Sequence, residues 1–346
     1  MGKYSLDAFE VYPLVKLRPA MTAPEADSYQ LLELFQSDLE RKTGELLAPP
    51  SVGKGKVILR LHPAQSADAA DVCGFIRRMG SCYEGGKLLS GVIVTAGAFA
   101  GTALDQLVQA YQQGFEETYL LAEPGTALAE SCSRAGVKFG LWLQLEHGIL
   151  PLRRCIGQGK LARNWEKCPV YVCAGRPMTE EALDAARRWH ADGADVAAVL
   201  GARMTLRRLM FPRDLTAGGL LPLRMWWQNL GTAPMYRDAE ICLELYDGKE
   251  RARIQLPQAR FRPGVGDSTV NVTAQLPDIR GTFALRCGLR CGNEMLKLAM
   301  EAPEEDGMYT IGQITLDAIV RPHLATMWKE TYADGYYPLE DPAQPE

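Results

Sequence analysis

The chain has 346 residues, of which 47% are hydrophobic and 23% charged, and its formal net charge is -4 at pH 7. This composition excludes an intrinsically disordered chain, and a length above the usual range of one hydrophobic core predicts two domains. The acidic balance, with no cluster of Lys and Arg among aromatic residues, argues against nucleic acid as a partner.

The apolar runs and the cysteine content predict the compartment of the protein. No apolar run approaches the ~20 residues that a membrane helix needs, so we predict no membrane partner. The opening MGKYSLDAFEVYPL lacks the continuous apolar region and the small-residue cleavage site of a signal peptide. The nine cysteines are odd in number and lie mostly in apolar segments, which indicates buried, unpaired thiols in a reducing compartment. We therefore predict a cytoplasmic protein.

No cofactor or metal motif is present. The cysteine pairs lack CxxC spacing, and the four histidines are scattered, so the ligand pattern of a structural zinc site is missing. GKGK at 53–56 is not a P-loop, and no GxGxxG follows the first apolar segment. We predict neither a metal nor a cofactor.

The first two thirds of the chain alternate between apolar segments and amphipathic stretches. Near-continuous apolar segments separated by helical patterns predict parallel strands covered on both faces. Seven such segments occur, at 10–18, 56–63, 91–99, 117–125, 137–148, 169–175 and 194–201. The pattern predicts an α/β fold, a (β/α) TIM-like barrel that is incomplete or has one degenerate unit. A doubly wound sheet is the alternative.

After about residue 218 the helical spacing disappears. Short apolar or alternating segments are separated by turn sequences such as DG, RPGVGD, PDIRG and EEDG. Seven short strands at roughly ten-residue spacing predict an antiparallel, immunoglobulin-like β-sandwich. We place the barrel in residues 1–218, the sandwich in 219–320, and a proline-rich acidic tail in 321–346.

The second half of the chain resembles a known family. The run MWWQNLGTAPMYRDAEICLEL, followed by FRPG, GTFALRCGL, LKLAME and MYTIGQI, is similar to the C-terminal sandwich of an uncharacterised bacterial family. That family is catalogued as domain of unknown function forty-eight thirty-two. Upstream, VILRLHP, RAGVKFGL and NWEKCPVYV resemble its barrel strands. The resemblance implies a glycosidase-like (β/α) barrel joined to an immunoglobulin-like sandwich, and a carbohydrate as partner.

The chain departs from this family at the acids that would serve catalysis. The family strand that resembles GVIVTAGAFAG continues into Trp-Gly-Glu, where this chain has TALDQ, with Asp105 as the nearby acid. The strand that resembles PVYV continues into a glutamate, where this chain has Cys173. A third acidic position falls on Gln144, or on Glu146 in a shifted register. The resemblance therefore implies a divergent member that lacks the Trp-Gly-Glu motif.

Two glutamates end predicted neighbouring strands. Glu123 closes LLAEP and Glu146 closes LQLEHG. Glycoside hydrolysis needs two carboxylates within about 5–9.5 Å, and a barrel supplies them from the carboxyl ends of its strands. We predict Glu123 as the acid and Glu146 as the base or nucleophile, with Asp105 in reserve. The alternatives are that Glu123 caps the next helix and that Glu146 is an exposed strand end.

The last predicted barrel strand, DVAAVLGAR, ends without an acid, which argues against a nucleophile at that position.

Five side chains are candidates for binding a sugar. Arg60 and His62 lie two positions apart, on one face of a predicted strand. The alternative for Arg60 is an ion pair with a buried acid. His147 follows Glu146, Trp165 precedes a strand in a loop, and Trp142 lies within a strand. Either tryptophan would stack on a sugar, but Trp142 also fits a core position.

Three hypotheses of function follow. The first is a glycoside-hydrolase-like barrel that binds a glycan and retains weak or altered hydrolytic chemistry. The second is a catalytically inactive protein that kept the fold and binds a carbohydrate or a partner. The third is a scaffold without a sugar site. Fold alone does not decide between them.

Overall fold

The computed structural model describes residues 14–16, 18–19, 28–39, 56–64, 66–84, 89–95, 99–175, 177–249, 251–256 and 261–318. These residues form two compact units. The parallel unit comprises 28–201 together with 232–236, and the sandwich unit comprises 14–19, 202–231 and 237–318. The division after residue 201 precedes the boundary predicted at 218. The predicted tail, 321–346, lies outside the described residues.

The segment predicted as the first barrel strand belongs to the sandwich unit. Its described residues form β1 (Leu14–Lys16) and β2 (Arg18–Pro19), and residues 10–13 lie outside the described ranges. β1 pairs antiparallel with the strand over 204–210. The prediction was wrong because a short apolar run does not distinguish a parallel from an antiparallel strand.

The described residues of the parallel unit form seven strands in two sheets. One sheet has the order β3-β4-β5 and the other β6-β7-β8-β9, and all pairs within them are parallel. The strands are β3 (Gln30–Phe35), β4 (Val57–His62), β5 (Leu89–Val94), β6 (Leu121–Ala122), β7 (Gly140–Gln144), β8 (Val170–Cys173) and β9 (Gly193–Ala194).

The predicted TIM-like barrel is therefore wrong. The described strands form separate ladders of three and four, joined between β5 and β6 by the isolated bridge Val92–Leu120. Local hydrogen bonding explains why β6 is short. The Glu84 carboxylate accepts from the backbone N–H groups of Glu117 and Thr118 and from the Thr118 hydroxyl, so this part of the predicted strand bonds to a side chain instead of a neighbouring strand.

The helices cover the outer faces of the two parallel sheets. They are α1 (Gln36–Leu39), α2 (Ala69–Tyr83), α3 (Thr102–Gly114), α4 (Ala127–Arg134), α5 (Ile149–Gln158) and α6 (Glu180–Arg188). The Thr179 hydroxyl caps α6 by accepting from the Ala182 N–H. A large apolar core, with Leu59 and Phe75 fully buried, lies between strands and helices. No helix within the described ranges is long and apolar enough to cross a membrane.

The sandwich unit consists of β-strands. One sheet has the order β1-β10-β12-β15, and the other has β11-β20-β16-β13-β14, with β17 and β19 at its side. β18 pairs with β2. The strands are β10 (Met204–Met210), β11 (Asp214–Thr216), β12 (Leu220–Asn229), β13 (Glu240–Tyr246), β14 (Arg251–Ile254), β15 (Gly266–Gln275), β16 (Gly281–Cys291), β17 (Glu294–Leu296), β18 (Met300–Glu301), β19 (Glu304–Glu305) and β20 (Met308–Asp317).

Alternation builds the core of this unit. On β12 the side chains of Leu221, Leu223, Met225 and Trp227 lie two positions apart and are at most 1% exposed, so they share one apolar face. Arg224, on the opposite face, is 2% exposed, so that face is covered there as well. The predicted β-sandwich content is thus present. Because strands outweigh helices over the described residues, the molecule is richer in β-structure than the predicted α/β class.

Candidate functional site

An apolar plug fills the inner face of the parallel unit. This plug is a small core, separate from the core under the helices. Strands β4 to β8 each contribute one side chain, in order Ile58, Ile93, Leu121, Trp142 and Tyr171. Tyr29, just before β3, is the sixth. Each of the six is at most 9% exposed. Because both sheets contribute, the plug gives them a common inner face.

Two glycines make room for the centre of the plug. A Cβ atom at Gly91 or at Gly140 would lie 2.5 or 2.6 Å from methyl groups of Leu121. Such distances are shorter than any real carbon contact, so Leu121 occupies its position because its neighbours on β5 and β7 lack side chains.

A polar layer covers the plug at the carboxyl ends of the strands. Strand side chains alternate between faces, so the residue two positions after each plug residue lies on the same inner face. These second residues are Arg60, Thr95, Glu123, Gln144 and Cys173. The change from apolar to polar along five strands produces a closed floor with hydrogen-bonding groups above it, the usual construction of a ligand site.

A cleft of about 470 Å³ opens above this floor. Four of the predicted site residues line it, namely Arg60, His62, Glu123 and Trp142. Among the described lining residues, Glu123 contributes the single carboxylate.

Arg60 is held from two sides. Its guanidinium carbon lies 5.5 Å from the ring centre of Trp142, and its Nη1 lies 3.4 Å from Glu33 Oε1. The predicted alternative was an ion pair between Arg60 and a buried acid. Arg60 does pair with an acid, but that acid, Glu33, has a side chain that is 44% exposed. His62 Nε2 lies 3.7 Å from the same oxygen. Arg60 is thus fixed over an aromatic face and partly neutralised.

Glu123 is half-buried and pairs with Gln144. The amide Nε2 of Gln144 donates to Glu123 Oε2 at 2.9 Å. The alternative assignment of Glu123 as a helix cap is wrong, because the N-cap of α4 is Thr126, whose hydroxyl accepts from the Ala129 N–H. The Glu123 side chain is therefore directed to the polar layer by a neighbour on β7.

The second predicted acid, Glu146, lies near Cys173 and outside the described lining of the cleft. Glu146 is exposed in a single 3-10 turn, Leu145–His147, that follows β7, and it is not among the described residues lining the cleft. The negative charge of Glu146 raises the pKa of the Cys173 thiol, but burial, the charge of Asp195 and the hydrogen bond to Asp195 each raise it more. The side chain of His147 lies outside the described part of the structure.

Asp105 is not part of the polar layer. It lies in the first turn of α3, where its Oδ1 accepts from the hydroxyl of Ser131 at 2.5 Å and from Arg134 Nη2 at 2.9 Å. The hydrogen bonds from Ser131 and Arg134 lower the pKa of the Asp105 carboxyl. Its partners therefore belong to the contact between α3 and α4.

The predicted stacking tryptophans are both covered by protein. Trp142 is 2% exposed, which agrees with the core alternative, and its indole N–H has no hydrogen-bond partner within the described residues. Trp165 lies in a 3-10 turn and stacks on the ring of His190, with centroids 3.6 Å apart and planes at 18°. One face of Trp165 is thus occupied by His190.

Asp195 is an acid at a strand end that the sequence pattern did not predict. We predicted a strand through 194–201 that ends without an acid, but β9 ends at Ala194 and Asp195 follows at its carboxyl end. The Asp195 carboxylate accepts from the N–H groups of Ala174 and Gly175, at 2.7 and 2.8 Å, and from the Cys173 thiol at 3.4 Å. The short GA strand, with an acid immediately after it, is the signal that would have located it.

Cys173 is a protonated thiol in this environment. Burial, then the negative charge of Asp195 and the hydrogen bond to it, raise the pKa of Cys173 to about 11. The thiolate, which is the reactive form, is therefore scarce near neutral pH. All nine cysteines are free thiols.

Replacing Asp195 by asparagine is expected to make Cys173 more reactive. The variant removes a negative charge that raises the pKa, so at any pH below that pKa the thiolate fraction increases, by up to about tenfold for each unit of pKa. The measurement is the rate of iodoacetamide labelling between pH 7 and 9, followed by peptide mapping. Cys132, whose pKa burial raises to about 12, is the internal control and should keep its rate. An unchanged rate at Cys173 contradicts the assigned pair.

Comparisons with known proteins give weak likenesses. No protein-family model and no curated protein matches the sequence. A β-glucosidase from Listeria innocua, solved in complex with glucose, has 12% identity over 88% of this chain and 48% of its own, with a TM-score of 0.24. This chain therefore spans about half of that enzyme. At a TM-score this low, the likeness supports no conclusion about function.

Two further solved structures are similar to only a third of the chain. A CARDB domain from Pyrococcus furiosus, in complex with di-metal ions, has 13% identity over 33% of this chain and 93% of its own, with a TM-score of 0.21. The α2-macroglobulin of E. coli has 16% identity over 36% of this chain and 7% of its own, also with a TM-score of 0.21. Neither carries an argument about this protein.

Proposed function

We propose that the cleft above the plug binds a carbohydrate and that the chain does not hydrolyse it. The observation that carries the proposal is the polar layer, in which Glu123, paired with Gln144, is the single carboxylate among the described lining residues. Hydrogen-bond donors and acceptors above an apolar floor suit a ligand with many hydroxyl groups. The sequence resemblance to a glycosidase-like family points to the same ligand class.

The arrangement of acids supports binding over hydrolysis. A two-carboxylate mechanism needs two acids across the scissile bond, about 5–9.5 Å apart. Glu146 is exposed in its turn and outside the described lining of the cleft. Asp195 accepts two backbone N–H groups and a thiol, so it holds the end of β8. Among the described residues that line the cleft, no second carboxylate stands beside Glu123.

Arg60 is the residue on which the proposal is tested. Arg60 lines the cleft, its side chain is 24% exposed, and its guanidinium is positioned by Trp142 and Glu33. A hydrogen bond to a charged donor contributes about 1.5–3 kcal/mol, so Arg60→Ala should weaken binding about ten- to a hundredfold. The measurement is isothermal titration calorimetry with glucose, galactose, N-acetylglucosamine and their common disaccharides.

The matched control is Arg134→Ala. Arg134 pairs with Asp105 outside the cleft, and its side chain is 63% exposed. The Arg134→Ala variant should bind every sugar with the affinity of the native protein. Absence of binding of all these sugars to the native protein, or equal binding by the native protein and Arg60→Ala, defeats the proposal.

Hydrolysis is the second candidate, and the placement of Glu123 in the cleft favours it. In that case Glu123 is the acid and Glu146 the base or nucleophile. Aryl glycosides report cleavage directly. Turnover by the native protein that is lost in both Glu123→Gln and Glu146→Gln would establish hydrolysis and replace the binding-only proposal.

A further inference from the structure

We infer that the binding site extends past His62 onto the ring of Phe35, so that its ligand has at least two sugar units. This inference rests on the proposed function and specifies its ligand class. Phe35 is the last residue of β3 and is 42% exposed, a large fraction for an aromatic side chain. Phe35 is not among the site residues predicted from the sequence.

The register of the strands places Phe35 beside the cleft. Phe35 lies opposite His62 in the β3–β4 ladder, just as Glu33 lies opposite Arg60. Leu31 packs on the plug, and the period of two then puts Glu33 and Phe35 on the same inner face. Phe35 thus extends the polar layer at its edge with an aromatic ring.

The Phe35 ring is held in one orientation. It stacks on the imidazole of His62 with centroids 4.4 Å apart and planes at 12°. His62 lines the cleft, whereas Phe35 is not among the lining residues, so the imidazole stands between the cleft and the phenyl ring. One face of Phe35 is covered by His62, and the exposure of the side chain leaves the ring accessible from the other side.

The chemistry of the two positions differs and suits two sugar rings. In the cleft, Arg60 and the Glu123–Gln144 pair offer groups for hydroxyls. On Phe35 the partner is an aromatic face with negative electron density, which attracts the C–H face of a pyranose. Because the His62 ring separates the cleft from Phe35, a ligand that contacts both positions needs a second, linked unit.

The test compares disaccharides with their monosaccharides. Cellobiose, maltose, lactose and chitobiose are titrated by calorimetry beside glucose, galactose and N-acetylglucosamine, with the native protein, Phe35→Ala and Phe35→Tyr. We expect one disaccharide to bind more tightly than its monosaccharide. Phe35→Ala should weaken that disaccharide about tenfold and leave the monosaccharide unchanged. Phe35→Tyr keeps the ring and should restore the native affinity. Leu150→Ala, at another exposed apolar side chain, is the control.

The outcomes separate the two proposals. Equal affinity of Phe35→Ala and the native protein for the disaccharide overturns the second sugar position while the cleft stands. Equal weakening of disaccharide and monosaccharide also overturns it, because Phe35 then acts only by holding His62. Binding of no sugar by the native protein overturns the proposed function, and this inference with it.

Discussion

Trp142→Ala is expected to destabilise the parallel unit by about 3–5 kcal/mol, the usual effect of removing a large buried aromatic side chain. Trp142 is 2% exposed and fills the middle of the plug, with its ring centre 5.5 Å from that of Tyr29. Side chains from both sheets meet there, so the cavity affects strands β4 to β8 together. Hydrogen exchange of the amides in these strands measures the loss in this unit alone.

Two further variants isolate the cause. Trp142→Phe keeps a ring and removes an indole N–H that has no partner within the described residues, so it should lose much less stability than Trp142→Ala. Trp165→Ala removes the same side chain from a half-buried turn beside His190 and should also have a smaller effect. Native exchange rates in Trp142→Ala would show that the plug does not hold the two sheets together.

The same variant links the fold to the proposed site. The Trp142 ring supports the Arg60 guanidinium, so Trp142→Ala removes both the floor of the cleft and one of the two contacts that orient its cation. Trp142→Phe preserves an aromatic face at that position and should retain most of the sugar affinity. For the proposed sugar site, the plug thus supports Arg60 in addition to forming a core.

Periodicity predicted the strands better than their assembly. The apolar runs at 56–63, 137–148 and 169–175 became β4, β7 and β8, because continuous apolar segments need cover on both faces. Closure into a barrel depends on hydrogen bonds between neighbours, and periodicity carries no information about them. Glu84 is an example: its carboxylate bonds the backbone at 117–118 from 33 residues away along the chain.

The first strand of the parallel unit was not predicted, because periodicity does not identify pairing partners. Gln30–Phe35, which begins the parallel unit, reads QLLELF and continues directly into a short helix, so it has no turn signal after it. The segment at 10–18 has a clearer apolar run, yet β1 and β2 within it pair with strands of the sandwich unit. In both segments, the sheet to which the strand belongs is set by partners far along the chain.

The period of two along a strand predicted which side chains share a face. Arg60 and His62 share a face because they are two positions apart on a strand, and both line the cleft. The sequence did not predict the positions of Phe35, used in the proposed second sugar position, and of Asp195, because their strands were misplaced or misjudged in length. Glu146 was predicted as a strand end, but the strand stops at Gln144, and Glu146 lies in the 3-10 turn that follows.

In the sandwich unit, Arg286→Ala is expected to lower the free energy of unfolding by about 3–5 kcal/mol, because it leaves a buried charge without its partner. The Arg286 side chain is 2% exposed, and its Nη1 lies 3.0 Å from Glu244 Oε1 and 3.1 Å from Glu305 Oε2. Its Nη2 donates to the Glu305 carbonyl at 2.9 Å, and its guanidinium lies 5.0 Å from the ring centre of Tyr246.

A neighbouring pair on the same two strands is the matched control. Arg290 faces Glu240 across β16 and β13 as Arg286 faces Glu244, but the side chains of that pair are 35% and 46% exposed. Water solvates both charges there, so Arg290→Ala should change stability by less than about 1 kcal/mol. Hydrogen exchange of the amides in β13 and β16 measures both variants on the same strands.

A double variant separates the stranded charge from lost packing. Arg286→Met combined with Glu244→Leu removes both charges and keeps apolar volume, so it should be more stable than Arg286→Ala, although the Glu305 carbonyl loses a donor. If the double variant is as unstable as Arg286→Ala, the loss comes from packing and carbonyl hydrogen bonds, and the uncompensated Glu244 carboxylate is not its cause. Since Glu305 is 55% exposed and remains solvated, Glu244 is the group that this comparison tests.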